Sequence, residues 1–182
     1  NYGNSGKGVV ITTPDNEVRN NIVLANGRHG ILLRGNGTTG NIISGNYIGV
    51  SVPTGLAALV SLGNVGDGIH IDGASSTRIG GPANSDANFI AGNRRNGIAL
   101  RNGSTSGGWA NLLQRNRIYG NAQGGSGIGI DLERVANGSD PANGALVLVA
   151  RQLGFRGELV AHVDGPLHRR PLMLQGASAV YT

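Results

Sequence analysis

Six consecutive residues, Asp67-Gly68-Ile69-His70-Ile71-Asp72, carry the densest chemistry in this chain. Here alone a histidine and two carboxylates crowd together. A histidine beside a carboxylate can move protons, and a carboxylate pair across a cleft can cleave a glycosidic bond. Arg34 and Arg101 are cations that an acidic sugar needs. Tyr47, Phe89 and Arg117 offer two rings and a cation for stacking. His29, His162 and His168 have no His or Cys at ligand spacing, and the chain has no Cys, so no metal site is expected. No Gly-rich segment ends in Gly-Lys-Ser, so no phosphate loop and no cofactor is expected.

The elements that position these residues follow from a recurring phrase, Asn-x-apolar, Asn again five residues on, then Gly-apolar-x-apolar. It reads Asn16-Glu17-Val18, Asn21-Ile22-Val23, Gly30-Ile31-Leu32-Leu33. It returns as Asn41-Ile42-Ile43, Asn46-Tyr47-Ile48, Gly68-Ile69-His70-Ile71. The third pass is Thr77-Arg78-Ile79, Asn88-Phe89-Ile90, Gly97-Ile98-Ala99-Leu100. The fourth is Asn111-Leu112-Leu113, Asn116-Arg117-Ile118, Gly127-Ile128-Gly129-Ile130. A partial pass at Gly8-Val9-Val10-Ile11 precedes them. A repeat of a few tens of residues means stacked units. Three short segments of period-two patterning per unit mean a parallel β-solenoid with three strands per coil and about four to five coils.

Alternation of strand side chains sends one residue of each segment inward. The inward columns are Val18, Ile43, Ile79, Leu113; then Val23, Ile48, Ile90, Ile118; then the pairs Val9/Ile11, Ile31/Leu33, Ile69/Ile71, Ile98/Leu100 and Ile128/Ile130. The outward columns are Ile22, Tyr47, Phe89, Arg117; Val10, Leu32, His70, Ala99, Gly129; and Thr12, Arg34, Asp72, Arg101, Asp131. The last alternates in sign, which favours charge pairing along the ladder over a catalytic acid pair. Asn at the bends can bond to backbone and to its stacked neighbours. The glycines serve a positive φ or a close approach of neighbouring coils.

The stretches Ile43 to Gly49, Gly63 to Ile71, Ile79 to Gly81 and Asn88 to Asn93 resemble the bacterial right-handed parallel β-helix repeat family. The likeness runs over about residues 8 to 132 and implies the right-handed coil. It also implies a bacterial extracellular or cell-surface setting. Relatives include polysaccharide lyases and hydrolases. The Asn-Thr-Asp, Gly-Asp-Asp and Gly-His-Gly signatures of the β-helix polygalacturonases are missing here, as are the clustered acids of pectate lyases.

The fold expected is all-β: residues 1–132 form the parallel β-helix and 133–182 a C-terminal β extension or cap. In that extension Ala145 to Val149, Glu158 to Val163 and Pro171 to Leu174 read as strands, with a hairpin at Asp164-Gly165-Pro166. The apolar insertion within Gly49 to Gly66 should fold back on the wall. Among 182 residues the charged share is 14% and the net charge +5. The arginines are scattered and lack aromatic interleaving, which disfavours nucleic acid. No apolar run reaches membrane-spanning length. The chain begins at Asn1, and reads as a fragment or a mature form.

The function expected is a non-enzymatic structural or interaction segment with no catalytic residue. The alternative is a module that binds or cleaves acidic polysaccharide, centred on Asp67, His70, Asp72, Arg34 and Arg101. Self-association is expected through the first coil, whose edge has no visible cap.

Overall fold

The computed structural model describes residues 3–51, 62–101, 110–125, 127–133, 160–162 and 179–181. The chain divides into two compact units, Asn1–Val135 and Ala136–Thr182. The first is a right-handed parallel β-helix. Its strands in chain order are β1 (Val9–Ile11), β2 (Glu17–Arg19), β3 (Ile22–Val23), β4 (Ile31–Arg34), β5 (Ile42–Ser44), β6 (Tyr47–Ile48), β7 (Ile69–Asp72), β8 (Arg78–Gly80), β9 (Phe89–Ala91), β10 (Ile98–Arg101), β11 (Leu112–Gln114), β12 (Arg117–Tyr119) and β13 (Ile130–Glu133). They form three parallel sheets in the orders β1-β4-β7-β10-β13, β2-β5-β8-β11 and β3-β6-β9-β12. Every third strand therefore joins the same sheet.

The core is a stack of like on like. Val18, Ile43, Ile79 and Leu113 are in register, as are Val23, Ile48, Ile90 and Ile118. Ile31, Leu33, Ile43, Ile48, Ile79, Ile90 and Ile98 are all fully buried. β-branched residues suit this pleated, crowded interior.

Asparagine closes the corners. Asn21, Asn46, Asn88 and Asn116 form one ladder, in which Asn46 Nδ2 donates to Asn88 Oδ1 at 2.9 Å and Asn88 Nδ2 to Asn116 Oδ1 at 2.8 Å. Asn26, Asn64, Asn93 and Asn121 form a second, with steps of 2.8, 2.8 and 2.9 Å. A third column holds Asn16, Asn41, Thr77 and Asn111, where Asn16 Nδ2 donates to Asn41 Oδ1 at 3.0 Å. The amides also donate to backbone, as Asn46 Nδ2 does to Val18 O of the preceding coil at 2.9 Å and to Ser44 O at its own corner at 3.1 Å. The left-handed conformation falls on the residue before the ladder position. Asp15, Asn20, Ala25, Ser76, Ala110 and Arg115 have φ between 52° and 60°. The ladder asparagine is thus kept for its amide, not for a tolerance of positive φ.

Gly8, Gly30, Gly68 and Gly97 answer a different need. A Cβ on Gly68 would lie 2.7 Å from Gly97 O and from Ile90 Cγ2, and one on Gly30 would lie 2.7 Å from Gly68 O. Close approach of the next coil, not a positive φ, excludes a side chain there.

The last coil is shifted from the expected register. Ile98 pairs with Ile130, Ala99 with Asp131 and Arg101 with Glu133. Gly129, not Gly127, continues the glycine column, since Ile98 N donates to Gly129 O. Gly127-Ile128-Gly129-Ile130 and Gly129-Ile130-Asp131-Leu132 fit the same phrase, and the structure uses the second. Asp131 therefore follows His70 and Ala99, and Glu133 follows Arg34, Asp72 and Arg101. Ile128 is left outside the strand and exposed.

In the second unit β14 (Val160–His162) and β15 (Ala179–Tyr181) pair in parallel. Pro171 to Leu174, Ala145 to Val149 and residues 52–61 of the insertion lie outside the described residues.

The packing yields a test of register. Ile90→Asp puts a carboxylate into the core without a partner, at a cost of about 4 kcal/mol or more. Phe89→Asp, one residue away on the outer face, is expected to cost about 1–2 kcal/mol. Chemical denaturation of the two variants checks the difference. Asn46→Asp replaces a donor with a charge facing Asn88 Oδ1, Val18 O and Ser44 O. It should lower stability by roughly 3 kcal/mol despite being isosteric.

Candidate functional site

The structure gathers His29, Asp67 and His70. His29 and Asp67 each stand one residue before the crowded glycine of their coil, Gly30 and Gly68, so they are stacked neighbours. Asn96, before Gly97, continues the column. His70 lies on β7, three residues beyond Asp67, and faces out between Leu32 and Ala99. The sequence paired His70 with Asp67 but found no partner for His29. Aligning the repeats on the residue before the glycine gives Lys7, His29, Asp67 and Asn96, and would have found it.

Asp67 is 1% exposed. Its Oδ1 accepts from Asn96 N and Asn96 Nδ2, both at 3.0 Å. Its Oδ2 lies 2.7 Å from His70 Nδ1 and 3.2 Å from His29 Nδ1. Asp67 N lies 3.1 Å from the same His29 Nδ1, which accepts from it in one tautomer and donates to Oδ2 in the other. The two imidazoles lie against each other, with centroids 4.2 Å apart. Burial acts to raise the Asp67 pKa, but hydrogen bonds from His29, His70 and the Asn96 backbone outweigh it and hold the carboxyl well below the usual carboxylate range. Gly66 makes room for this arrangement, since a Cβ there would stand 2.7 Å from His29 Nδ1.

The network continues along the wall. Asn96 Nδ2 also donates to Asp131 Oδ2 at 3.2 Å, and Arg101 Nη2 lies 3.4 Å from the same oxygen. Asp72 turns instead to Arg34, whose Nε is 3.2 Å away. Asp67 is thus the carboxylate on His70, while Asp72 serves the charge ladder. With its Nδ1 proton directed at Asp67, His70 keeps Nε2 as its basic atom.

Tyr47, Phe89 and Arg117 are in register on the outer face of the sheet β3-β6-β9-β12. The rings stack with centroids 4.7 Å apart and planes 5° from parallel. The Arg117 guanidinium lies 4.9 Å from the Phe89 centroid. The faces of Phe89 are therefore engaged along the solenoid axis, by Tyr47 on one side and Arg117 on the other.

Two tests follow from this geometry. Asp67→Ala strips the acceptor from Asn96 and should cost roughly 3 kcal/mol, whereas Asp67→Asn keeps Oδ1 and should cost less than half of that. The folded pKa of Asp67 is depressed, so its ionised form contributes stability that is full above the unfolded value near about 4 and lost as pH falls below it. The stability gap between wild type and Asp67→Asn should therefore narrow between about pH 5 and pH 2.5. A denaturation series at several pH values measures that gap.

No family profile matches the chain, no curated protein matches it, and no solved structure matches it.

Proposed function

We propose that this chain is a rigid, non-enzymatic segment of a bacterial extracellular or surface β-helix protein, used for display, adhesion or assembly. The observation that carries this reading is the use to which the wall is put. Along the described coils, the outward charges and rings chosen as binding candidates are engaged with one another: Arg34 with Asp72, Arg101 with Asp131, Tyr47 with Phe89 and Arg117. Such pairs fix register and stiffness, and each exposed pair adds about 1 kcal/mol or less. Solenoids build long surfaces from local units in this way. The bacterial and extracellular setting rests on the likeness of Ile43–Gly49, Gly63–Ile71 and Asn88–Asn93 to the right-handed β-helix repeat family.

Self-association through the coil holding β1, β2 and β3 belongs to the same reading. Each of these strands ends its sheet. Val10 and Ile22 there are 53% and 54% exposed. Unpaired strand edges with apolar side chains favour another β edge over water. Residues 4–8 line one corner of this coil, through Gly27 N to Asn4 O and Arg28 N to Gly6 O.

Light scattering over a dilution series should show a dimer that dissociates on dilution, and a monomer unchanged at high concentration contradicts that part. A uronan depolymerisation assay beside a glycan array tests the rest. The expected result is no turnover. An activity that disappears in His70→Ala or Asp72→Asn overturns the non-enzymatic reading.

A further inference from the structure

The donor atoms of His29, Asp67 and His70 lie within 4.8 Å of one another. Two imidazole nitrogens converge on one carboxylate oxygen, Asp67 Oδ2, at 2.7 and 3.2 Å. A tetrahedral zinc with bonds of about 2.0–2.1 Å holds its donors about 3.3 Å apart, so small side-chain shifts bring all three onto one ion. We propose that His29 Nδ1, His70 Nδ1 and Asp67 Oδ2 form a binding site for a single Zn2+ or similar borderline first-row divalent cation, with water in the open position.

Four features support this assignment beyond the grouping itself. The carboxylate is buried, so a cation there meets oxygen donors that water does not screen. Its other oxygen is fixed by two bonds from Asn96, which is the kind of outer hydrogen bonding that orients a ligating carboxylate. The His29 and His70 side chains remain 19% and 13% exposed, which gives an ion a way in. Finally, His29 Nδ1 is frustrated. It lies 3.1 Å from Asp67 N, which can only donate, and 3.2 Å from Oδ2, which can only accept, so either tautomer of the ring leaves one of the two contacts unfavourable. A cation between Nδ1 and Oδ2 is bonded by both atoms, whichever contact it replaces.

Binding leaves the proton count of neutral imidazole unchanged. His70 gives up the Nδ1 proton directed at Asp67 and takes one on Nε2. The donor set of two nitrogens and one oxygen suits zinc, nickel or copper, and does not suit calcium or magnesium, which take oxygen ligands. The site is independent of the scaffold role proposed above.

The test is zinc titration of the full, chelator-stripped chain by calorimetry, with imidazole nitrogen NMR on the same sample. The chain holds four histidines. The expected result is one ion per chain, with two of the four imidazoles shifting on addition of ZnCl2. His29→Gln and His70→Gln should each weaken binding at least tenfold, and the double variant His162→Gln/His168→Gln should bind as wild type does. CaCl2 should produce no heat and no shift. Should either single variant fail to fold, the wild-type NMR titration still decides, because the two responding rings are assigned directly. Absence of one-to-one zinc binding by the wild type overturns the proposal. So does zinc binding that shifts His162 and His168 instead, or that survives both single substitutions undiminished.

Discussion

The side-chain amide of asparagine, repeated at the spacing of a β-sheet, is the interaction on which this structure depends. A solenoid must turn its chain three times per coil, and each turn strands backbone groups inside the corner. The ladder asparagines meet that demand in two directions. Asn46 Nδ2 reaches Val18 O within the coil stack, while its backbone N–H and Nδ2 both donate to Asn88 Oδ1 in the next coil. No other uncharged side chain of that length offers an acceptor and two donors together. Once the amides lock the corners, the isoleucine columns have no freedom to slip, because a one-residue slip reverses every side chain.

The histidine cluster arises from the same stacking with its polarity reversed. In the asparagine ladders the backbone N–H donates forward to the following coil, as Asn64 N does to Asn93 Oδ1. In the column before the glycines it donates backward: Asn96 N to Asp67 Oδ1, and Ile128 N to Asn96 Oδ1. That reversal makes an aspartate acceptable. Asp67 has no proton to pass along, so it fits only where neighbours donate to it. Asn96 supplies two donors on one side and His70 supplies one on the other. A carboxylate within the Asn21–Asn116 ladder would face acceptors instead.

The coil architecture was legible in the sequence because inward residues are chemically uniform. Val23, Ile48, Ile90 and Ile118 leave one face and one period. The last coil was misaligned by two residues because Ile128 and Ile130 both follow a glycine, and composition cannot choose between them. Asn64 was missed because the insertion sets it 18 residues beyond Asn46. His29 was missed for a related reason: proximity in a solenoid runs along the axis, and no spacing rule within one segment shows it. The charge pairs Arg34–Asp72 and Arg101–Asp131 are the ones the alternating signs favour, but the order was not readable in the last coil, where Glu133 takes the place beside Arg101 and Asp131 stands beside Ala99.

Hydrogen exchange at the ladder amides tests the central claim most directly. Asn21, Asn46, Asn64, Asn88 and Asn93 lie at corners, where chain turns ordinarily exchange fast. Because their N–H groups donate to side chains of the next coil, they should exchange as slowly as the strand amides of Ile43, Ile48 and Ile90. Corner amides that exchange at the rate of the exposed turn at Gly37, while the strands stay protected, would contradict an account in which the asparagine ladder holds the coils in register.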